Sequence, residues 1–174
     1  MNVAIPALLA AVISLSTASV ALAQERVWRF TETEEGVHLV YGQPESDDVQ
    51  VAFYCERGTD RAGLLVWFEH RVAVDSPSPD GEWLNADGAP APWPATLGVS
   101  VRDAGFTLNG AAAHDEVSDG TSIGVQTPTS APYLKSFAAS GRIAFKAYGE
   151  MIKPAPANPA DVRRFIAGCA PWRK

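Results

Sequence analysis

Hydrophobic and polar residues alternate along most of the chain after Arg26, with the period of two that is typical of β-strands. Asp119-Gly120 is the expected turn of a hairpin within 111–128, because this dipeptide is favoured in tight turns. The same alternation predicts strands over residues 27–31, 37–41, 49–55, 64–74, 97–103, 106–110 and 142–149.

Two of these segments carry most of the apolar positions. In 49–55, Cys55 falls on the same side as Phe53 and the valines. The segment 64–74 has apolar residues on both sides near its start, which is typical of a central strand that is covered on both faces. We therefore expect Trp67, which lies in this segment, to be part of the core.

Two helices are predicted in the C-terminal half, where the apolar spacing becomes helical. The first starts at Pro132 and ends before Gly141, a residue type favoured at helix C-termini. The second has Asn158 as its N-cap and Pro159 in its first turn. Its apolar stripe comprises Val162, Phe165, Ile166 and Cys169. The cysteine of that stripe is therefore expected to face the core.

These elements predict a mainly β protein with two short helices in the C-terminal half. The strands form either an antiparallel sandwich or a curled sheet. Residues 24–174 have the length of one domain, and no internal repeat divides them.

Residues 75–96 interrupt the strand pattern with a segment rich in proline, glycine, alanine and aspartate. Each proline removes a backbone donor, so we predict a long loop. Trp83 and Trp93 are its candidate binding residues, because an exposed tryptophan can stack on a sugar ring or anchor a protein partner. The alternative is that both indoles fold back and cover an edge of the sheet.

The first 23 residues contain no charged side chain and end in Ala21-Leu22-Ala23, a small-x-small sequence that signal peptidase accepts. A membrane anchor is the alternative, but the apolar core is shorter than the ~20 residues of a span. We expect cleavage before Gln24 and a mature chain that is periplasmic or secreted. We expect no stable membrane insertion after signal cleavage.

Cys55 and Cys169 are the only cysteines in the sequence. In an exported protein such a pair is most simply a disulfide. A metal pair and a reactive thiol are the alternatives, but neither a C-x-x-C motif nor a neighbouring histidine supports them. The predicted bond ties the second helix to an early strand.

The formal net charge of −6 argues against nucleic acid and anionic membrane surfaces as partners. Both carry negative charge and repel an acidic protein. An envelope protein or a glycan is the partner that we expect instead.

Residues that could carry catalysis are few. The densest polar group is His114-Asp115-Glu116, in which His114 and Glu116 share a strand face. Two ligands make a weak site, because zinc normally takes three or four from the protein. The P-loop, G-x-G-x-x-G and H-E-x-x-H motifs are missing from the sequence. Gly120-Thr121-Ser122-Ile123-Gly124 has the G-x-S-x-G spacing, but it lies within the predicted hairpin 111–128 and does not form a strand-to-helix nucleophile elbow. We therefore predict no catalytic residue, no metal and no cofactor.

Three stretches of the chain resemble uncharacterised exported β-rich periplasmic proteins of Gram-negative bacteria. They are VWRF…VHLVYGQP after the signal, FYCERG in an early strand, and YLKSFAASGRIAFKAYG…DVRRFIAGCA at the end. The last stretch is similar in plan to the invasion-associated locus B type of periplasmic protein, in which a short helix, a strand and a closing helix end the domain. The resemblance implies a periplasmic β-rich domain with a disulfide, and it implies no activity.

We therefore expect a non-enzymatic periplasmic binding or envelope-associated domain that works through a sheet face or residues 75–96. Two alternatives stay open. A hydrolase acting on an envelope component would place His114, Asp115 or Glu116 in a cleft close to a nucleophile. An inhibitor of an exogenous hydrolase such as lysozyme would suit an acidic chain that faces a basic enzyme.

Overall fold

In a computed structural model of the chain, residues 25–74 and 77–171 are described. The predicted export signal at 1–23 lies outside these ranges. Within them the chain forms nine strands and two helices. In chain order these are β1 (Val27–Glu32), β2 (Gly36–Gly42), β3 (Val49–Glu56), β4 (Arg61–Phe68), β5 (Trp93–Val101), β6 (Ala104–Asp115), β7 (Gly120–Pro128), α1 (Pro132–Ser140), β8 (Ala144–Ala147), β9 (Glu150–Ile152) and α2 (Pro159–Cys169).

The strands of the described residues form one antiparallel sheet in the order β1-β2-β3-β4-β7-β6-β5-β8-β9. The predicted mainly β fold with two helices in the C-terminal half is confirmed. Of the two predicted arrangements, the curled single sheet is the one that forms.

The inner face of the sheet is concave and holds the core. Phe53 of β3 lies 6.4 Å from Phe145 of β8 between ring centroids, although four strands separate β3 from β8 in the sheet. Both helices pack into this concavity, and the ring of Phe53 also contacts Phe137 of α1 and Phe165 of α2. Within the described ranges, neither helix has the length and apolarity that a membrane span requires.

The predicted helix ends are confirmed. Gly141 follows α1 with a φ of 67°, and its amide donates to the carbonyl of Phe137. This left-handed conformation is the one that glycine adopts at helix C-termini. Asn158 caps α2, and its side chain accepts a hydrogen bond from the amide of Ala160 at 2.9 Å.

The predicted disulfide between Cys55 of β3 and Cys169 of α2 is also confirmed. Both residues are buried. The end of α2 approaches β2 so closely at Gly168 that a Cβ there would collide with the side chain of Val37. The sequence separation of the two cysteines is 114 residues, so the bond closes most of the domain into one loop.

The predicted strand 64–74 ends earlier than expected, at Phe68. Its neighbour β7 begins at Gly120, so residues after Phe68 have no strand beside them with which to pair. The amide of Glu69 instead donates to the side chain of Glu150, and that of Val72 to the hydroxyl of Thr121. Residues 69–74 therefore leave the sheet.

Three other boundaries differ from the predictions. Residues 106–110 and the first part of 111–128 form one strand, β6, which connects to β7 through residues 116–119. The predicted loop 75–96 ends at Trp93, where β5 begins. Pro94 is tolerated in β5 because only β6 pairs with the strand at that point. The predicted strand 142–149 is shorter and turns at Tyr148-Gly149 into β9.

Replacement of Cys169 by Ser is expected to lower the melting temperature by about 10 °C. The bond closes a loop worth ~4–5 kcal/mol of unfolded-chain entropy, and 1 kcal/mol shifts the melting point by about 2–4 °C in a domain of this size. Calorimetry of the mature protein measures the shift. The matched variant Cys55→Ser breaks the same bond and should lower the melting temperature by a similar amount. An unchanged transition, or free thiols in the native protein, would contradict the clamp.

Candidate functional site

The outer face of the sheet, on the side opposite to the helices, carries a row of paired residues across four neighbouring strands. His38 of β2 pairs with Tyr54 of β3, Tyr54 with Gly63 of β4, and Gly63 with Gln126 of β7. Successive strand residues point to opposite faces. The row therefore points outward, because its chain neighbours are buried on the inner face: Val37, Phe53, Leu64 and Val125.

The ring of Tyr54 lies face-on across Gly63. A Cβ built on Gly63 would fall into the ring, closest to Cζ and nearly as close to Cε1 and Cε2. Glycine normally weakens a strand, and an aromatic ring from the neighbouring strand restores the missing packing. Tyr54 is 37% exposed, so the ring face that points away from Gly63 is open to solvent.

Tyr54 lies on the floor of an open groove of about 880 Å³, which we call the Tyr54 groove. This volume lies within the range of small-molecule sites, which is about 300–1,000 Å³. Besides the row just described, its polar lining comes from the ends of β3 and β4 and the connections beside them: Glu34, Glu35, Glu56, Arg57, Thr59 and Arg61.

Most polar side chains of the Tyr54 groove are not engaged by the protein itself. There are two exceptions. Arg57 pairs with Glu32 at 2.7 Å and donates to the carbonyl of Thr33, and the hydroxyl of Thr59 donates to the carbonyl of Glu56. Within the described residues, no hydrogen bond or ion pair engages the side chains of His38, Tyr54, Glu56, Arg61 and Gln126. Donors and acceptors of both charge signs are thus available around the tyrosine ring.

The two tryptophans predicted as binding residues lie at the opposite, inner side of the sheet. Trp93 is only 4% exposed, and its indole nitrogen donates to the carbonyl of Ala89. Trp83 is half-buried against His114, with ring centroids 3.8 Å apart, and its indole nitrogen donates to Glu116. Both indoles hold residues 77–92 against the end of the sheet, and a binding role for them stays a prediction.

His114 is buried beneath Trp83, with its side chain 2% exposed. Its Nε2 lies 3.8 Å from a carboxylate oxygen of Asp119, and its Nδ1 has no hydrogen-bond partner among the described residues. The hydroxyl of Ser118 donates to Asp115 and not to His114. The described residues of this segment therefore do not form a Ser-His-Asp relay.

Asp115 points to the outer face, where it accepts a hydrogen bond of 2.6 Å from the indole of Trp67. Trp67 was expected in the core, and it lies instead on the outer face, because it alternates with Val66 and Phe68. Burial raises the pKa of the Asp115 carboxyl, but hydrogen bonds from Ser118, Trp67 and the Val117 backbone outweigh it. The pKa therefore lies below its ordinary value.

Metal binding finds no support in the described part of the chain, where no three His, Cys, Asp or Glu side chains gather in a way that could hold an ion. The Tyr54 groove offers a flat aromatic surface with hydrogen-bonding groups around it. This arrangement is suited to binding and contains no activated nucleophile.

Tyr54 was not predicted from the sequence as a candidate site residue, and neither were Arg61 and Gln126. A signal for Tyr54 was present, because the period of two places it on the face opposite to Phe53 and Cys55. An aromatic residue on the solvent side of a strand is a candidate for binding.

No protein-family model, curated protein or solved structure matches this chain.

Replacement of Trp93 by Ala is expected to reduce the free energy of unfolding by about 3–5 kcal/mol, because a large buried side chain is removed. Trp83→Ala is expected to cost about 1–2 kcal/mol, since part of that indole is already exposed. Urea denaturation measures both losses. Small and equal losses would contradict the packing and favour two exposed anchors.

Asp115→Asn is expected to destabilise the protein at neutral pH and not in acid. A carboxyl whose folded-state pKa is lowered stabilises the fold above its unfolded pKa of about 3.9, and this contribution is lost as the pH falls through the folded value. The difference in unfolding free energy from the parent should therefore begin to shrink below about pH 4 and continue to shrink as the pH falls through the lower folded-state pKa. The exposed Asp87→Asn is the control, and a pH-independent difference would contradict the pKa assignment.

Proposed function

We propose that this protein is a non-enzymatic binding domain of the cell envelope, that it is exported to the periplasm, and that it binds through the Tyr54 groove. The observation that carries the proposal is the tyrosine ring held flat over Gly63 among polar side chains that the protein does not engage. A flat apolar surface rimmed by hydrogen-bonding groups is the usual composition of a binding site.

Export is supported by two independent features of the chain. Residues 1–23 are uncharged and end in Ala-Leu-Ala, which fits a cleaved signal. The buried bond between Cys55 and Cys169 belongs to a class that forms in oxidising compartments such as the periplasm.

Binding, as opposed to catalysis, is supported by the state of Cys55 and Thr59, the cysteine and the aliphatic hydroxyl residue of the Tyr54 groove. Cys55 is in the disulfide, and the hydroxyl of Thr59 donates to the carbonyl of Glu56 at 2.8 Å. Neither group is paired with a histidine that would activate it as a nucleophile. The histidine of the groove, His38, is an exposed strand residue.

The two other functions predicted from the sequence have weaker support. A hydrolase that uses His114 would have to move Trp83 away before a substrate could reach the imidazole. An inhibitor of a basic hydrolase is favoured only by the net charge of −6. Inhibition of lysozyme by the purified mature chain would distinguish this last function directly.

The binding proposal is tested with the photo-crosslinking amino acid benzoylphenylalanine, which inserts into C–H bonds of proteins and sugars. It is placed at Gln126 in the Tyr54 groove and, as a matched control, at Asn109, which is exposed on β6 outside the groove lining. After irradiation of cells that export the protein, we expect a product of higher mass from position 126 only. No product, or equal products from both positions, would contradict the proposal.

A further inference from the structure

The chemistry of the Tyr54 groove indicates its ligand class, an inference that rests on the proposed function. We propose that the groove binds an uncharged oligosaccharide of β-1,4-linked pyranose rings, with one ring stacked on Tyr54. A pyranose has a flat face of C–H groups and a rim of hydroxyls. It therefore needs an apolar plate beneath it and hydrogen-bonding groups at the sides.

Tyr54 provides the plate, because Gly63 has no side chain to lift the ring from the sheet. The ring lies between His38 on one side and Gln126 on the other, which belong to β2 and β7. Neighbouring strands are about 4.8 Å apart, so these two residues bracket a width of about 14 Å. Both side chains are exposed, and within the described residues neither has a hydrogen-bond partner.

An apolar track extends from this plate along β4. Leu65 and Trp67 follow Gly63 on the outer face at intervals of two residues. Trp67 lies about 13 Å from Gly63 along the strand, and its indole is held by the 2.6 Å hydrogen bond to Asp115. A β-1,4-linked chain is extended and presents flat C–H faces along its length. It fits a straight track with an aromatic residue at each end.

The charges around the track favour an uncharged ligand. The Tyr54 groove contains three carboxylates against two guanidinium groups, and one of these, on Arg57, is paired with Glu32. Near the other end of the track lie Asp115, Glu69 and Glu150. This excess of negative charge repels polyanions and also a second copy of this chain, which has a net charge of −6.

The test uses amide NMR spectra of the mature protein, residues 24–174, titrated with chitotetraose, cellotetraose and maltotetraose. We expect shifts centred on Gly63 and Gln126 with at least one of the two β-1,4-linked sugars, and none with maltotetraose, whose α-1,4 linkage curves the chain. Tyr54→Leu should weaken binding at least about tenfold, which is about 1.4 kcal/mol. Asn109→Ala, outside the groove, should leave binding unchanged.

His38→Ala provides a second variant that leaves both the tyrosine and the crosslinking position in place, and it too should weaken binding. If neither β-linked sugar shifts these amides but the crosslinker at position 126 captures a protein or another glycan, the β-1,4-linked assignment is overturned and the binding function stands. If neither sugar binds and no product forms at position 126, both proposals fail. Shifts of equal size with maltotetraose would overturn the stacking argument.

Discussion

The packing of α1 and α2 into the concave face of the sheet is the interaction on which the rest of this structure depends. Phe53 lies at its centre and contacts rings from α1, α2 and β8. Each fully buried phenylalanine contributes about 1.5–3 kcal/mol, so these four rings together contribute about 6–12 kcal/mol to the core. The disulfide fixes the end of α2 to β3, the strand that carries Phe53.

Because the concave face takes both helices, the outer face is left without a covering helix in the described residues. On this outer face the strands carry small residues such as Gly63, and the larger aromatic side chains pack flat against the sheet. The ring of Tyr54 packs face-on over Gly63, and the indole of Trp67 donates a hydrogen bond to Asp115. The features that we interpret as a binding surface thus follow from the one-sided burial of the sheet.

Local signals in the sequence predicted the parts of the fold that depend on neighbouring residues. Gly141 and Asn158 identified helix ends, and the apolar stripe of α2 pointed Cys169 inward. Strand boundaries were less predictable, because they depend on where a distant partner begins. The end of β4 at Phe68 is set by β7, more than fifty residues later in the chain.

The Tyr54 groove was missed for a related reason. The predicted strands end at Cys55 and resume at Leu64, whereas Gly63 belongs to β4 and pairs with Tyr54. Only that register brings the tyrosine ring over a glycine. Trp83 and Trp93 were more conspicuous in the sequence, but nothing local to 75–96 distinguishes an indole that binds a ligand from one that packs against the sheet.

We propose that the Tyr54 groove is occupied by a ligand when the protein is in its own compartment. Hydroxyl-radical footprinting of Tyr54 tests it, with Tyr148 as the internal control, because both residues are 37% exposed. We predict similar oxidation of the two tyrosines in purified protein, and protection of Tyr54 alone in intact cells. Equal oxidation of both tyrosines in cells would show that the groove is empty there and would overturn its assignment as the binding site.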